Sequence, residues 1–191
     1  WDPKRSLSEL LLSAEARSRG ARVAEVVAAI SRRARGGYQH GIVTRRVEGA
    51  RDLLTVLREQ PLTPARRRIL SSAGDAVRLL HEAGVEHVDL NLKNILIDPA
   101  GSAWVIDLDR GRLHPSLPQK LRERSLLRLY RSWCKLASVE PTSASPRDPL
   151  LLIRGYAGGA RATRKQLQRL GMRARFSLHR IGWRLSPPRY P

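Results

Sequence analysis

The chain has 191 residues, a formal net charge of +19 and one cysteine, so it can bury a core but cannot form an internal disulfide. No apolar run is long enough to span a bilayer. The basic excess predicts an anionic partner such as lipid or a phosphorylated glycolipid, whereas aromatic residues at 5% are too few for the stacking platforms of nucleic-acid-binding proteins.

The first third of the chain is predicted to contain one helix followed by two strands. Ser6-x-x-Glu9 fits a capping box, so the helix is expected to begin there and to end at Gly20. The strands are predicted at residues 23–30 and 38–47, joined by a charged turn. Gly49-Ala50 interrupts the pattern.

Two helices are predicted next. The first is short and covers residues 51–58. The second begins with Thr63 as N-cap and Pro64 at its first position, and it ends at Gly84. Apolar residues recur along it at intervals of three and four, which indicates one buried face. A short strand is expected at residues 85–88.

Three oxygen-bearing side chains then follow at the intervals that kinases use. Asp89 is followed by Asn94 five residues on, and Asp107 comes thirteen residues later. Residues 95–98 and 103–108 are predicted to form a hairpin, which would bring Asn94 and Asp107 to one end. In kinases such groups orient the acceptor hydroxyl and hold magnesium, which prefers carboxylate and amide oxygens. The alternative is an ordinary hairpin with polar ends.

The last part of the chain is predicted to be helical and then strongly basic. An amphipathic helix is expected over residues 117–136, with Leu121, Leu129, Trp133 and Leu136 facing inward, and another from Asp148 to about Tyr156. After Asp148 the sequence has no acidic residue but ten arginines and lysines. We expect this tail to contact an anionic surface; a solvated tail, or a helix packed on the domain, is the alternative.

The residues around the three oxygen-bearing groups resemble the lipopolysaccharide kinases, in particular their 3-deoxy-D-manno-octulosonic acid (Kdo) kinase branch. The matching runs are His87-x-Asp89-Leu90-Asn91-x-x-Asn94-Ile95-Leu96 and Ile106-Asp107-x-Asp109-Arg110-Gly111-Arg112. Residues 44–53 and 126–135 agree as well, so the resemblance covers roughly residues 5–136. Asn91 points away from protein substrates, because protein kinases place a lysine there.

The resemblance implies an α+β, protein-kinase-like fold with a truncated N-lobe. The glycine-rich loop and the strand that carries the ATP-binding lysine would lie upstream of Trp1, so the activity of these 191 residues alone is left open. Residues 1–49 would be the remnant of the N-lobe, with a helix, two strands and a hinge at 45–49 beside adenine. Residues 50–160 would form a mostly helical C-lobe with the catalytic hairpin, and residues 161–191 the basic tail.

The same resemblance implies an ATP- and Mg²⁺-dependent kinase that phosphorylates the 4-hydroxyl of Kdo on a lipid A precursor. It would work at the cytoplasmic face of the bacterial inner membrane, against an anionic lipid surface. Asp89 would be the catalytic base, Asn94 and Asp107 would bind magnesium and nucleotide, and Glu15 would pair with the ATP lysine. His87 is expected to brace the loop by hydrogen bonds rather than to move protons.

Three points stay open at this level. Glu15 has the alternative of being an ordinary solvated helix glutamate. The acceptor could be another small molecule, such as a heptose or an aminoglycoside. The chain could also be a non-catalytic, pseudokinase-like module that binds anionic lipid.

Overall fold

The computed structural model describes residues 4–60 and 63–158, together with Lys165 and Leu170. Nearly all of the predicted basic tail, residues 161–191, therefore lies outside the described residues. The helices are α1 (Arg5–Ser18), α2 (Leu53–Glu59), α3 (Pro64–Glu82), α4 (Gln119–Val139) and α5 (Asp148–Ala157). The strands are β1 (Val26–Ala34), β2 (Gly37–Thr44), β3 (Arg51–Asp52), β4 (Val85–Glu86), β5 (Ile95–Ile97), β6 (Ala103–Val105) and β7 (Arg112–Leu113).

These elements form small antiparallel sheets packed among helices, which confirms the α+β class. The sheets are a β1–β2 hairpin, a three-stranded sheet in the order β3-β5-β6, and a β4–β7 pair. The buried core is aliphatic and continuous, and it draws on α1, α2, α3, α4, α5 and the central sheet. Within the described ranges, no helix is both long enough and apolar enough to cross a membrane.

Helix α1 begins at Arg5, and the predicted capping box is wrong. Lys4 occupies the N-cap without a capping side-chain hydrogen bond. Ser6 already lies in the first turn, is buried, and donates its hydroxyl to the backbone oxygen of Ile30 at 3.0 Å. The serine is therefore used to join α1 to β1. The predicted end is confirmed, because Gly20 has a φ of 85° and follows the C-cap.

The segment between α1 and β1 attaches the N-terminal elements to the central sheet. Val23 forms a parallel bridge with Val105, and the N–H of Ala24 donates to the Val105 oxygen at 3.0 Å. The first predicted strand therefore starts late, at Val26, because the preceding residues pair with β6 instead. β1 then pairs with β2 through a tight turn at residues 35–36.

The central hairpin has the predicted arrangement with shorter strands. β5 pairs with β6 in the register Ile95↔Val105 to Ile97↔Ala103, and a turn at residues 98–101 connects them. The residues predicted as the start of the short helix instead form β3, which pairs with β5. Asp52 then caps α2 by accepting the N–H of Thr55 at 3.0 Å.

Helices α3, α4 and α5 form the larger helical part. Thr63 caps α3 as predicted, accepting the N–H of Arg66 at 3.3 Å. A buried ion pair of 2.6 Å joins Arg66 to Asp148, the first residue of α5. On α4 the inward prediction is confirmed for Leu129 and Leu136, whereas Leu121 and Trp133 are only partly buried. The buried face of α4 also takes in residues 123 and 125–127.

Candidate active site

The segment 87–94, here called the Asp89 loop, is held by a buried histidine. The Nδ1 atom of His87 accepts the N–H of Asp89 at 3.2 Å, and its Nε2 atom lies 3.2 Å from the oxygen of Ile106. This assigns a neutral ring with the proton on Nε2. Burial lowers the pKa of His87, which also favours the neutral form. These contacts match the expected bracing role, since Nδ1 bonds within the loop and Nε2 joins the loop to Ile106, the residue after β6.

Helix α4 supports the Asp89 loop from its other side. The hydroxyl of Ser125 donates to the His87 oxygen at 3.4 Å, and the hydroxyl of Ser132 accepts the N–H of Leu92 at 3.3 Å. Between them, Arg128 donates from Nη1 to the backbone oxygen of Val88. The residue just before Asp89 is thus tied directly to a guanidinium group.

Asn94 is tied to Asp89 and to the approach to Asp107. Its side-chain Nδ2 donates to the Asp89 backbone oxygen at 2.9 Å, and its own backbone oxygen accepts the N–H of Ile106 at 3.0 Å. Asn94 immediately precedes β5 and Asp107 comes two residues after β6, so the register places both at the same end of the hairpin. The structure therefore brings the three predicted residues into one neighbourhood.

The chain turns sharply at Asp107. This residue has a φ of 61° and Arg110 a φ of 56°, both in the left-handed region that non-glycine residues rarely adopt. The turn is closed by the Gly111 N–H, which donates to the Leu108 oxygen at 2.8 Å. Such backbone strain is found most often at functional sites.

Arg5 connects the start of α1 to the residues that follow Asp107. Its Nε donates to Asp109 Oδ1 at 2.6 Å and a second nitrogen bonds the other carboxylate oxygen. This bidentate contact is the main reason that the pKa of Asp109 is lowered. Asp109 therefore anchors the loop after β6 to helix α1.

A cavity of about 480 Å³ opens beside Asp107. Glu9 of α1 lines it, together with Thr44 at the end of β2 and residues 45–47 and 50 beyond that strand. Burial raises the pKa of Glu9, and the negative charges of Asp107 and Asp109 raise it further. The Glu9 and Asp107 carboxylates line the same cavity, and their negative charges favour the binding of a cation there.

Glu15 does not reach this cavity. It lies farther along α1, its side chain is 44% exposed, and it forms an i,i+4 ion pair of 2.8 Å with Arg19. The glutamate that lines the cavity with Asp107 is Glu9, which the sequence pattern predicted to be part of a capping box. A signal was present, because Glu9 shares the helical face of Leu12 and Ala16, both buried, whereas Glu15 lies off it.

The donor set suits a hard cation such as Mg²⁺. Because the Asn94 amide nitrogen is used toward Asp89, its amide oxygen is left to face another partner, and Asp107 supplies a carboxylate. Among the described residues there is no group of three or more His, Cys, Asp or Glu that could hold a metal. One carboxylate and one amide oxygen are typical of magnesium sites completed by phosphates and water.

Comparison with known proteins gives one family and several relatives. The sequence model of the lipopolysaccharide kinase (Kdo/WaaP) family matches residues 2–156. A 3-deoxy-D-manno-octulosonic acid kinase of Xylella fastidiosa (strain M12) is 37% identical over 153 residues, which cover 80% of this chain and 59% of that protein. The kinase of the same description from Vibrio vulnificus (strain YJ016) is 31% identical over 156 residues, 82% of this chain and 64% of that protein. The chain thus spans about three fifths of the length of these relatives.

Proposed function

Because the chain belongs to the lipopolysaccharide kinase (Kdo/WaaP) family, we propose that the full-length protein transfers the γ-phosphoryl group of ATP to the 4-hydroxyl of Kdo on a lipid A precursor. The observation that carries this proposal is the convergence of Asp89, Asn94 and Asp107 at one end of the central hairpin. The relatives described as Kdo kinases favour Kdo as the acceptor sugar.

In this proposal Asp89 accepts or orients the proton of the acceptor hydroxyl. Its backbone is fixed by His87 and Asn94, so the carboxylate stays in place while substrates exchange. Asn94 and Asp107 would hold magnesium through the amide oxygen and the carboxylate. Magnesium held there would offset the negative charge that develops during transfer.

The nucleotide is assigned to the cavity beside Asp107. Residues 45–47 line it, which suits the hinge position proposed for them beside adenine. Glu9, rather than Glu15, is the better candidate to pair with an ATP-binding lysine, because it is buried and lines the same cavity as Asp107. The pairing would also remove the repulsion between the Glu9 and Asp107 carboxylates.

The lipid-linked acceptor places the reaction at the cytoplasmic face of the inner membrane, with an anionic lipid surface as partner. The division into an N-lobe part (1–49), a C-lobe (50–160) and a basic tail (161–191) belongs to the same proposal. In the described part of the chain, the bridge between Val23 and Val105 lies where the first two parts would meet.

The deciding experiment incubates the full-length protein with Mg-ATP and a Kdo-bearing lipid A precursor and measures the product mass. One added phosphate in the parent, and none in Asp89→Ala, supports the proposal. NMR of the product assigns the hydroxyl. If the protein phosphorylates only a heptose-bearing acceptor or an aminoglycoside, that molecule replaces Kdo as the proposed acceptor. If the folded protein phosphorylates none of these acceptors, the result favours a lipid-binding pseudokinase.

A further inference from the structure

Helix α4 carries a row of cations beside the Asp89 loop. The residues recur at intervals of four, four, three and four, so they share one helical face: Lys120, Arg124, Arg128, Arg131 and Lys135, here called the basic stripe. At 1.5 Å per residue the stripe is about 22 Å long. All of its members are exposed except Arg128, which is half-buried. The one acidic residue of α4, Glu123, is buried outside the stripe.

Two arginines of the stripe, Arg124 and Arg128, differ from several arginines elsewhere in the protein. Arg45, Arg58 and Arg66 each form an ion pair with a carboxylate. Within the described ranges, no salt bridge joins Arg124 or Arg128 to an acid. Burial and the neighbouring positive charges of the stripe lower the pKa of Arg128. An incoming anion would relieve this repulsion.

The basic stripe lies beside the loop that carries Asp89. Arg128, at its centre, is bonded to the oxygen of Val88, next to Asp89 in the chain. Ser125 and Ser132 on the same helix form hydrogen bonds to the same loop. A substrate whose hydroxyl faces Asp89 would therefore have its neighbouring groups within reach of guanidinium donors.

Resting on the function proposed above, we propose that the basic stripe binds the acceptor through its oxyanions, with Arg128 holding the oxyanion nearest the reacting hydroxyl. Guanidinium groups suit this task because they bind carboxylate and phosphate through paired N–H donors. The oxyanion has two possible sources, the carboxylate of the acidic sugar and a phosphate of its lipid carrier.

The test measures binding of the lipid A precursor in nonionic micelles, without ATP, by calorimetry at fixed ionic strength. Arg124→Gln is the primary variant, because the Arg124 side chain makes no hydrogen bond or ion pair to the described residues. Arg128→Gln and Arg128→Lys test the central position. Arg67→Gln is the matched control, since Arg67 is also an exposed helical arginine and lies on α3.

We expect Arg124→Gln and Arg128→Gln to weaken acceptor binding by about tenfold or more, as for loss of a charge-assisted contact. In steady-state assays, Arg124→Gln should raise the KM for the acceptor by the same factor as it weakens acceptor binding. The kcat and the KM for ATP should change less than about twofold. Arg128→Lys should restore only part of the affinity, and Arg67→Gln should bind normally.

Two modified acceptors separate the sources of the oxyanion. If Arg128→Gln binds the carboxyl methyl ester of the acceptor as well as the parent does, the oxyanion that Arg128 holds is the sugar carboxylate. If the two proteins bind the dephosphorylated acceptor equally well, the oxyanion is a phosphate of the lipid carrier. An effect that persists in full with both, unchanged binding by the stripe variants, or an equal loss in Arg67→Gln overturns the proposal. Stripe-dependent binding without phosphate transfer would contradict the proposed function alone, and a parent that does not bind the acceptor contradicts both.

Discussion

The side-chain amide of Asn94 donates to the backbone oxygen of Asp89 at 2.9 Å. This one contact spans the Asp89 loop and orients two functional groups together. It fixes the backbone that carries the Asp89 carboxylate, and it uses the amide nitrogen of Asn94, which leaves the amide oxygen for the proposed metal. The group proposed to orient the acceptor and the group proposed to hold magnesium are therefore coupled through a single hydrogen bond.

Replacing Asn94 should impair both functions. For Asn94→Ala we expect kcat to fall by about 100-fold or more and the Mg²⁺ concentration for half-maximal rate to rise. Asn91→Ala is the comparison, because Asn91 also donates to the Asp89 oxygen, at 3.0 Å, but has no proposed metal role. It should lower kcat at an unchanged Mg²⁺ requirement. An unchanged Mg²⁺ requirement in Asn94→Ala would remove the metal role from Asn94.

Two glutamates on α1 should respond very differently to the same substitution. Glu9→Gln is expected to raise the KM for ATP or lower kcat by about tenfold or more, because it removes the carboxylate on the cavity wall beside Asp107. Glu15→Gln should leave both constants within about twofold, since the Glu15 side chain is paired with Arg19 on the surface and does not line the cavity. The reverse outcome would favour Glu15 as the residue that pairs with the ATP-binding lysine.

Acid should destabilise the protein through its two buried histidines. Burial lowers the pKa of His81 from 6.5 to about 3, and it also lowers that of His87. Below pH 6.5 the unfolded chain binds protons that the native protein excludes, so the free energy of unfolding falls as the pH falls. The slope is at most about 1.4 kcal/mol per pH unit for each histidine.

Urea titrations between pH 7.5 and 5 measure this dependence. His81→Phe retains an aromatic ring beside Tyr156, where the ring centroids lie 5.5 Å apart, but cannot be protonated. Its free energy of unfolding should fall less steeply with decreasing pH than that of the parent. Equal slopes in the two proteins would show that His81 is not the responsible group.

The contact between α3 and α5 should tolerate no added methyl group. A Cβ on Gly74 would lie 1.9 Å from the backbone oxygen of Leu152, and neither backbone can move without displacing its helix. We expect Gly74→Ala to destabilise the protein by about 3 kcal/mol, at the upper end of overpacking effects. Gly41→Ala is the control, because a Cβ there meets nothing within 4 Å. Unfolding by urea compares the two, and equal stability would contradict the close approach.

The sequence by itself determined those features that depend on neighbours along the chain. The Thr63 cap, the helix ends at Gly20 and Gly84, and the hairpin that unites Asn94 with Asp107 all follow from local hydrogen bonding and spacing. These features are predictable because a turn, a cap or a strand pair joins residues a few positions apart.

Only the tertiary structure decided which side chains meet across elements. Ser6 bonds the strand facing it instead of capping its helix, and Glu9 rather than Glu15 reaches the cavity beside Asp107. Arg128 donates to the backbone oxygen of Val88, which directly precedes Asp89 and lies forty residues away in sequence. Such choices depend on how helices and sheets pack to bury their apolar faces, and short-range patterns do not encode that packing.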